Sequence, residues 1–187
     1  MLRRRVESPI KVANGKSDEE FIAEYLAPNM GQPMAAPQNR NLRGALQDLV
    51  KRLAPGSKRR EMKDHDLRYI LVRDEGGLVK GFTSLMPCFE EGQPVIYCYE
   101  IHLVPELQGT GLGRLLMGFL ETIGKNVPSV EKVMLTCFLA NEKGIEFYEK
   151  IGFAKDEISP VPRTLRFGKV FNPDYMIMSK VVKTSDP

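Results

Sequence analysis

The residues Gln108-Gly109-Thr110-Gly111-Leu112-Gly113 lie between an apolar, β-rich run and a segment with helical periodicity. The run spans Val95 to Val104, and apolar side chains recur at helical spacing from Leu112 to Ile123. A strand therefore ends, a glycine-rich turn follows, and a helix begins. At such a helix N-terminus, backbone N–H groups without intrahelical partners lie close together, and the helix dipole adds partial positive charge. The hexad predicts an anion site, most plausibly for a phosphate or pyrophosphate.

Two familiar nucleotide motifs are excluded by the residues themselves. A P-loop closes on Lys-Ser or Lys-Thr, whereas Gly113 is followed by Arg114 and Leu115. The glycine spacing differs from a Rossmann fingerprint, and the turn lies past the middle of the chain. Because glycines also serve turns and caps that bind nothing, the hexad alone leaves a purely structural role open.

Length and composition predict one globular domain over residues 1–187. Of these residues, 42% are hydrophobic and 27% are charged, which suffices for a core without disulfide or metal support. Cys88, Cys98 and Cys137 lack metal-type spacing and are interpreted as reduced thiols of an intracellular protein. With no secretory segment and no long apolar run, we expect a soluble protein that is cytoplasmic and nuclear and binds no membrane.

The net charge of +3 is unevenly distributed. Basic clusters at Arg3-Arg4-Arg5, Lys51-Arg52 and Lys58-Arg59-Arg60 lie in the first third of the chain. Such clusters are more often solvated surface than nuclear-targeting or nucleic-acid patches. No aromatic residues are interleaved with them as a base-stacking platform requires, so we expect no direct nucleic-acid binding.

The N-terminal third predicts a basic arm followed by a helical extension. Residues 1–16 lack periodicity and predict a loosely held arm. Ser17 reads as an N-cap before a helix that ends at Pro28, and a second helix is predicted from residue 39 or 41 to near Pro55. Residues 17–55 are therefore interpreted as a helical extension of the core.

The core, residues 67–182, predicts strands and helices in mixed order. Its elements are the strand 68–73, the strand 78–86, a charged loop 88–94, the strand 95–104, the helix 111–126, the strand 132–138, the helix 141–150, a short strand after residue 153, and the strand 175–182. A hairpin-led antiparallel half thus joins a βαβα half. This order implies a mixed α/β (α+β) fold with a central sheet flanked by helices.

Two separated stretches together resemble the GNAT acetyltransferase superfamily. The hexad Gln108–Gly113 resembles its acetyl-CoA pyrophosphate loop. Asn141 to Phe153 resembles its second signature, an Asn followed by a helix that ends Phe-Tyr and by a Gly-Phe turn. The resemblance covers about Leu67 to Lys180 and implies the GNAT fold, with a mostly antiparallel sheet, and acetyl-CoA as the cofactor.

Three further stretches are similar to the histone-selective N-terminal acetyltransferases of that superfamily, the NatD branch. They are Tyr97-Cys98-Tyr99-Glu100, Lys132-Val133-Met134-Leu135-Thr136 and the late Tyr175. The branch also carries an N-terminal helical extension. The resemblance implies acetyl transfer to the α-amino group of histone tails beginning Ser-Gly-Arg-Gly, by a single chain without an auxiliary subunit.

The cofactor residues are assigned by the same resemblance. It implies that backbone groups of Leu103 and Val104 pair with the pantetheine arm like an added strand. It also implies that Asn141 reaches the cofactor beyond the pyrophosphate. The backbone amides that hold the pyrophosphate are those of Gln108, Gly109, Thr110, Gly111, Leu112 and Gly113. No metal is expected.

The catalytic candidates follow from the chemistry of acyl transfer. An amine must be neutral to attack, and an α-amino group with a pKa near ~8 needs only modest help at neutral pH. Glu100 can take the proton directly or through a water molecule, and a salt-bridged strand Glu is the alternative. Tyr99 points away from Glu100 in a regular strand, so both face the site only if the strand splays or bulges there.

Two other side chains keep alternative interpretations. By resemblance, Tyr148 protonates the leaving thiolate, and a core tyrosine is the equal alternative. His102 alternates onto the face of Glu100, but with no partner carboxylate identified it is interpreted as structural. The cysteines are interpreted as packing residues, since direct transfer needs no acyl-enzyme.

The peptide side is less completely matched. Tyr97 is predicted to shape the substrate entrance, and Thr136 and Tyr175 are peptide contacts by resemblance. The tail arginine needs an acid, for which the candidates are Glu90, Glu91 and Asp174, each also explicable as surface. The chain has no Trp, although the branch's better-known animal members place one near the pocket.

The sequence leaves two rival functions open. One is an acetyltransferase for lysine side chains, polyamines or ribosomal N-termini, because the fold and the cofactor site are common to all of them. The other is a non-catalytic acyl-CoA-binding module. The presence of both the hexad and Glu100 argues against it.

Overall fold

The computed structural model describes residues 8–26, 64–164, 166–168 and 170–183. Its N-terminal part holds helix α1 (Pro9–Asn14), helix α2 (Asp18–Phe21) and a π-helical turn over Ile22–Leu26. The helix predicted between residue 39 or 41 and Pro55 lies outside the described residues, as do the three basic clusters.

Helix α1 corrects the prediction of a loosely held arm. Ser8 caps the helix by accepting a hydrogen bond from the Lys11 N–H, and Pro9 supplies a preset φ at the first helical position. Ile10 and Ala13 are buried in the core. The prediction is wrong for residues 9–14 because a Ser-Pro start and two apolar positions suffice for a helix of one and a half turns.

Helix α2 begins where the sequence predicts. The Ser17 hydroxyl accepts from the Glu20 N–H, and the Glu20 carboxylate accepts from the Ser17 N–H. This capping box satisfies two of the orphan donors at the helix start.

Arg68 ties these helices to the sheet. Its side chain is only 8% exposed. Nη2 donates to the carbonyls of Ala13 (3.2 Å) and Lys16 (2.8 Å), and Nη1 lies 2.6 Å from the Asp18 carboxylate. The guanidinium also stacks over the Phe21 ring. Arg68, the first residue of the sheet, is thus a buried cation that donates to carbonyls at the end of α1 and in the turn before α2.

The main sheet has six strands in the order β1-β2-β3-β4-β8-β5. Only β3 and β4 are parallel, and every other neighbouring pair is antiparallel. The strands are β1 (Arg68–Arg73), β2 (Val79–Glu90), β3 (Gln93–Leu103), β4 (Lys132–Phe138), β5 (Ala154–Lys155) and β8 (Tyr175–Val181). This is the mixed, mostly antiparallel sheet that the sequence predicts.

The segment 88–94 is strand and tight turn, and the prediction of a charged loop there is wrong. Glu90 pairs with Gln93, and the two residues between them, Glu91 and Gly92, have φ values of 46° and 81°. Two residues of positive φ make a turn whose twist matches the flanking strands. Charge and a glycine typify a loop, but here they extend the hairpin to its tip.

Strand β3 contains a β-bulge at Tyr99. The adjacent β2 residues Leu85 and Ser84 pair with Cys98 and Glu100, so Tyr99 has no partner of its own. An extra residue shifts the alternation of side chains by one position beyond it. Glu100 therefore faces the same side of the sheet as Tyr99, which is the condition that the sequence sets for both to reach one site.

The parallel pair β3 and β4 parts near its middle. Backbone pairing runs from Val95 with Lys132 to Cys98 with Leu135, and both strands continue beyond it without each other. The sheet thus opens between the second half of β3 and the end of β4.

Two helices connect the strands around this opening. Helix α3 (Leu112–Asn126) follows a 3-10 turn over Pro105–Leu107, and helix α4 (Glu142–Lys150) follows β4. The core lies between one face of the sheet and the helices. Its fully buried side chains include Leu85, Ile96, Leu116, Met117, Leu120, Ile123 and Leu135. We call this side of the sheet the helix face.

A small hairpin between β5 and β8 is not predicted by the sequence. Strands β6 (Arg163–Thr164) and β7 (Val170–Phe171) form a separate two-stranded sheet, with a 3-10 turn over Arg166–Gly168 between them. Two-residue strands carry too little alternation for a periodicity argument.

The predicted fold class is confirmed, with N-terminal helices beside a central sheet flanked by helices. Over the described ranges, the structure contains no helix that is both long and apolar enough to span a membrane.

Candidate active site

The glycine turn has the geometry of an open anion cradle. Gly109 and Gly111 have φ values of 75° and 90°, and Gly111 is the N-cap of α3. An added Cβ at either position would meet nothing within 4 Å, so the backbone there faces open space. Thr110 braces the turn by donating from Oγ1 to the Leu107 carbonyl at 2.8 Å.

A groove of about 530 Å³ runs from this turn along the start of α3 and the side of α4. Three basic side chains line it, Arg114, Lys143 and Lys150. A ligand with several phosphate charges fits such a groove, because N–H groups at a helix start and cations on its walls both favour anions. Sequence reasoning missed these cations, although Arg114 directly follows the hexad.

Glycine 113 explains how closely the two helices approach beneath the groove. A Cβ there would lie 3.2 Å from Cζ of Phe147 on α4. The third glycine of the hexad therefore serves packing, while the first two serve the turn. Leu112 begins α3 and Gln108 lies at the groove, its Nε2 donating to the Leu103 carbonyl at 3.1 Å.

The backbone edge of β3 departs from the prediction at Val104. The Val104 N–H donates to the Lys80 carbonyl, and the Val104 carbonyl accepts from the Leu107 N–H. Since hydrogen-bonding direction alternates along a strand, Ile101 and Leu103 direct their backbone groups away from β2, toward the groove they line. The pairing of Leu103 and Val104 with the pantetheine arm stays a prediction; the backbone groups of Val104 are already bonded to Lys80 and Leu107, and Ile101 joins Leu103 at the groove.

Asn141 lines the groove and also caps α4, and its contact with the cofactor stays a prediction. Its Oδ1 accepts from the Gly144 N–H at 3.0 Å. A Cβ on Gly144 would approach the Asn141 side chain to 2.3 Å, which explains a glycine in the first turn of a helix. The residue that reaches the groove is thus held by the helix it begins.

Tyr148 is a packed core tyrosine that also borders the groove, and its protonation of the leaving thiolate stays a prediction. It is 9% exposed, packs against the rings of Phe147 and Phe153, and lines the groove. Burial, together with nearby thiols, raises the pKa of the Tyr148 phenol above its ordinary value. The phenol therefore keeps its proton at neutral pH.

The opposite side of the sheet carries the predicted peptide residues. We call it the tyrosine face, defined by Tyr97, Tyr99, Glu100, Thr136 and Tyr175. The Tyr97 and Tyr99 rings lie 5.4 Å apart, and the hydroxyls of Tyr97 and Thr136 are 2.5 Å apart. The Tyr99 hydroxyl donates to Sδ of Met86 at 3.8 Å. Tyr175 begins β8 and pairs with Phe138, two residues beyond Thr136.

The structure gives His102 the partner carboxylate that the sequence did not identify, that of Glu100. His102 Nε2 lies 3.0 Å from Glu100 Oε2. The side chain of Glu100 is 19% exposed and that of His102 is 62% exposed. The partner carboxylate lies two residues earlier on the same strand, which the alternation alone brings close enough for a hydrogen bond.

The three acidic candidates lie in different places. Glu90 is half-buried, and its charge contributes, after burial itself, to raising the pKa values of Tyr97 and Tyr99. Glu91 is exposed in the hairpin turn, and Asp174 is exposed just before β8. Of the three, Glu90 is the one that the structure brings to the tyrosines.

The three cysteines are free thiols, with Cys98 and Cys137 buried and Cys88 partly buried. Burial raises the pKa values of Cys88 and Cys98 to about 12 and also raises that of Cys137. Thiols held in the neutral form are poor nucleophiles. Among the residues whose positions are given, no group of three or more His, Cys, Asp or Glu side chains is arranged to hold a metal ion.

Comparison with known families agrees with this geometry. A profile of the Acetyltransferase (GNAT) family matches residues 38–153, more than half of the chain. N-alpha-acetyltransferase 40 of Saccharomyces cerevisiae is 32% identical over 119 residues, which cover 54% of this chain and 41% of that protein. Mycothiol acetyltransferase of Propionibacterium freudenreichii is 32% identical over 87 residues, covering 46% of this chain and 27% of that protein. The chain thus spans less than half the length of these curated relatives.

Solved structures share the fold at low sequence identity. The ribosomal-protein-S18-alanine N-acetyltransferase of Escherichia coli superposes with a TM-score of 0.53 at 20% identity, over 77% of this chain and 90% of that one. A chimera of the spermidine N-acetyltransferase SpeG from Vibrio cholerae and hSSAT gives 0.54 at 19% identity, over 77% and 93%. Such identities establish the fold alone.

Proposed function

The chain belongs to the GNAT acetyltransferase family, and from this premise we propose that it acetylates the N-terminal amine of histone tails beginning Ser-Gly-Arg-Gly. The observation that carries the proposal is the bulge at Tyr99, which brings Glu100 onto the tyrosine face beside the gap between β3 and β4. The stretch 32% identical to the yeast N-alpha-acetyltransferase supports an α-amino substrate.

GNAT acetyltransferases use acetyl-CoA, which supplies an acetyl group activated as a thioester. In this chain the turn at Gly109 and Gly111 would hold the pyrophosphate, with Arg114 and Lys143 on the groove walls. The fit rests on the open space above the two positive-φ glycines and on the charge of the lining. Leu103 and Ile101 would offer backbone groups to the pantetheine arm.

Glu100 would act on the amine from the other side of the gap. The neutral amine forms a bond from its nitrogen to the acetyl carbon, and the nitrogen becomes positively charged as it does so. It then passes a proton to the Glu100 carboxylate, directly or through water, while the C–S bond breaks. The sulfur leaves with the electron pair of the C–S bond and then takes a proton, for which the proposed donor is the Tyr148 phenol, kept neutral by burial and located at the groove.

The tyrosine face also suits the tail that follows the amine. Its first residues are small, so they can approach the Tyr97 and Tyr99 rings closely. The arginine in third position carries a charge that Glu90 can meet, since the Glu90 carboxylate already acts on both tyrosine phenols electrostatically. The proposed action on histones further implies that the protein is present in cytoplasm and nucleus.

A comparison of acetylation rates for two peptides tests the proposal. The protein is incubated with acetyl-CoA and either a peptide beginning Ser-Gly-Arg-Gly or the same peptide with a blocked N-terminus and free lysines. We expect the free N-terminus to be acetylated at least about tenfold faster. Equal or faster acetylation of the blocked peptide would falsify the N-terminal assignment and favour lysine side chains.

A second pair of peptides tests the histone part of the proposal. Replacing the third-position arginine with alanine removes the charge that Glu90 is proposed to meet. We expect kcat/KM to fall about tenfold for the wild-type enzyme, and to fall much less for Glu90→Gln. An arginine that contributes nothing in either enzyme contradicts recognition of this tail.

A further inference from the structure

We infer that His102 is a positioning residue that fixes the Glu100 carboxylate for proton transfer, an inference that rests on the acetyl transfer proposed above. Nε2 of His102 lies 3.0 Å from Oε2 of Glu100. An ionised carboxylate only accepts hydrogen bonds, so the imidazole nitrogen must donate. The two residues are two apart on β3, beyond the bulge, and point to the same face.

The imidazole is itself held in place. His102 pairs with Phe82 across β2 and β3, and the two rings lie 5.0 Å apart with a tilt of 36°. The side chain remains 62% exposed, so it contributes little to the core. A histidine that rests on an aromatic ring and reaches back along its own strand is placed to orient a neighbour.

Glu100 needs such orientation because it follows a bulge. A glutamate side chain has three rotatable bonds, and Glu100, which pairs with Ser84, is the first residue after the bulge, where the strand departs from regular geometry. A base that is displaced by about 1 Å loses much of its rate advantage. The hydrogen bond donated by His102 favours one rotamer of Glu100. The proton lost by the attacking amine goes to Glu100, and His102 neither gains nor loses a proton.

Substitution by alanine and by glutamine separates positioning from other roles. His102→Ala removes the donor, and we expect kcat to fall about tenfold, the size of one charge-assisted hydrogen bond, with both KM values within about twofold. His102→Gln keeps an N–H donor but cannot exchange protons at neutral pH, and we expect it to recover most of the rate. The chain's other histidine gives the matched control, since His65 is exposed and His65→Ala should match wild type.

A double-mutant cycle gives the second readout. In a Glu100→Gln background the base is gone, so we expect His102→Ala to cost less than about twofold further. The inference is overturned if His102→Ala leaves kcat unchanged, if His102→Gln is as slow as His102→Ala, or if the His102→Ala loss is undiminished without Glu100. Acetyl-CoA affinity by calorimetry confirms that each variant is folded.

The cycle is run with whichever amine the wild-type enzyme acetylates faster. If the enzyme shows no preference for a free Ser-Gly-Arg-Gly terminus, the proposed substrate is contradicted. The effect of His102 on Glu100 can still be measured with the other amine. The preferred amine therefore tests the proposed function, and the ratio of the variants' kcat values tests the role of His102.

Discussion

The hydroxyl groups of Tyr97 and Thr136 lie 2.5 Å apart, so a single hydrogen bond joins β3 to β4 on the tyrosine face. Backbone pairing between the two strands ends within a residue of this bond, at Cys98 and Leu135. The bond therefore lies at the closed end of the gap, where it fixes the position of the Tyr97 ring.

Tyr97→Phe tests what this bond does for the peptide. The substitution keeps the ring and removes the hydroxyl, so Thr136 loses its partner. We expect the KM for a Ser-Gly-Arg-Gly peptide to rise about threefold to tenfold, in line with one neutral hydrogen bond. Acetyl-CoA affinity should stay the same, because the groove lies on the helix face. Steady-state kinetics with each substrate varied in turn measures both.

Thr136→Val provides the partner variant. It removes the same bond from the other side, so its KM should match that of Tyr97→Phe, and the double variant should be no worse than either. Additive losses would show that the two hydroxyls act separately.

Gly111→Asp tests the anion cradle. Gly111 has a φ of 90°, which an aspartate adopts only with strain, and the new carboxylate would face the proposed pyrophosphate. We expect acetyl-CoA affinity measured by calorimetry to fall by at least about a hundredfold. Gly118→Ala on the same helix is the control, since a Cβ there meets nothing within 4 Å and helix propensity favours alanine. Equal affinities for wild type and Gly111→Asp would rule out this turn as the pyrophosphate site.

Tyr148→Phe distinguishes the two interpretations of that residue. The ring packing against Phe147 and Phe153 is kept, so we expect the midpoint of thermal unfolding to change little. If the phenol protonates the thiolate, kcat should fall by about tenfold or more at pH 7. Single-turnover rates of acetyl transfer give the test, and an unchanged rate would leave Tyr148 a packing residue.

Arg68→Ala tests the clamp on the N-terminal helices. The variant removes the hydrogen bonds that Arg68 donates to the carbonyls of Ala13 and Lys16, together with its ion pair with Asp18. We expect the free energy of unfolding, measured by urea denaturation, to drop by about 2–4 kcal/mol. Arg73→Ala at the exposed end of the same strand should cost less than about 1 kcal/mol. Similar losses in the two variants would argue against the clamp.

Asp156→Asn tests a buried ion pair through pH. Burial by itself would raise the Asp156 pKa, but hydrogen bonds from Ser179, Ile158 and Lys132 outweigh it and hold the pKa below its ordinary value. A depressed pKa stabilises the fold above the unfolded value near ~4, and this contribution is lost as the pH falls through the folded pKa. We expect the wild type to exceed Asp156→Asn in stability at pH 7, with the gap narrowing in acid.

The surface pair Glu146 and Lys150 supplies the control for this pH dependence. Both side chains are exposed, with 2.8 Å between Oε1 and Nζ. We expect Glu146→Gln to have the same free energy of unfolding as the wild type at pH 7 and at pH 3, since exposed ion pairs contribute little to stability. A gap between wild type and Asp156→Asn that is the same at pH 7 and pH 3 would contradict the role of the buried pair.

Much of the core follows from the sequence because its signals are local. The strand 132–138 is a continuous apolar run, and the helix after Gly111 has a regular apolar stripe, so both lie within a residue of their predicted bounds. Asn141 could be placed because it precedes a helix and can cap it. Each of these depends on neighbours in the chain.

The features that were not predicted depend on the pairing register between strands, which cannot be derived from the sequence of one strand alone. The bulge at Tyr99 exists only as a mismatch between β2 and β3, so the sequence could state it as a condition but not as a result. The same limit hid the engagement of Val104 with Lys80. The contact between His102 and Glu100 was not predicted for a different reason: strand alternation puts the two residues on one face but does not show that their side chains turn toward each other.

The gap between β3 and β4 has a consequence for how such an enzyme can diversify. In the part of the chain that the structure describes, the groove at Gly111 and the tyrosine face lie on opposite sides of one sheet, and the opening between β3 and β4 lies between them. If the tyrosine face takes the amine and the groove takes the acyl donor, as proposed, substitutions on the tyrosine face can change the preferred amine while the groove residues stay the same.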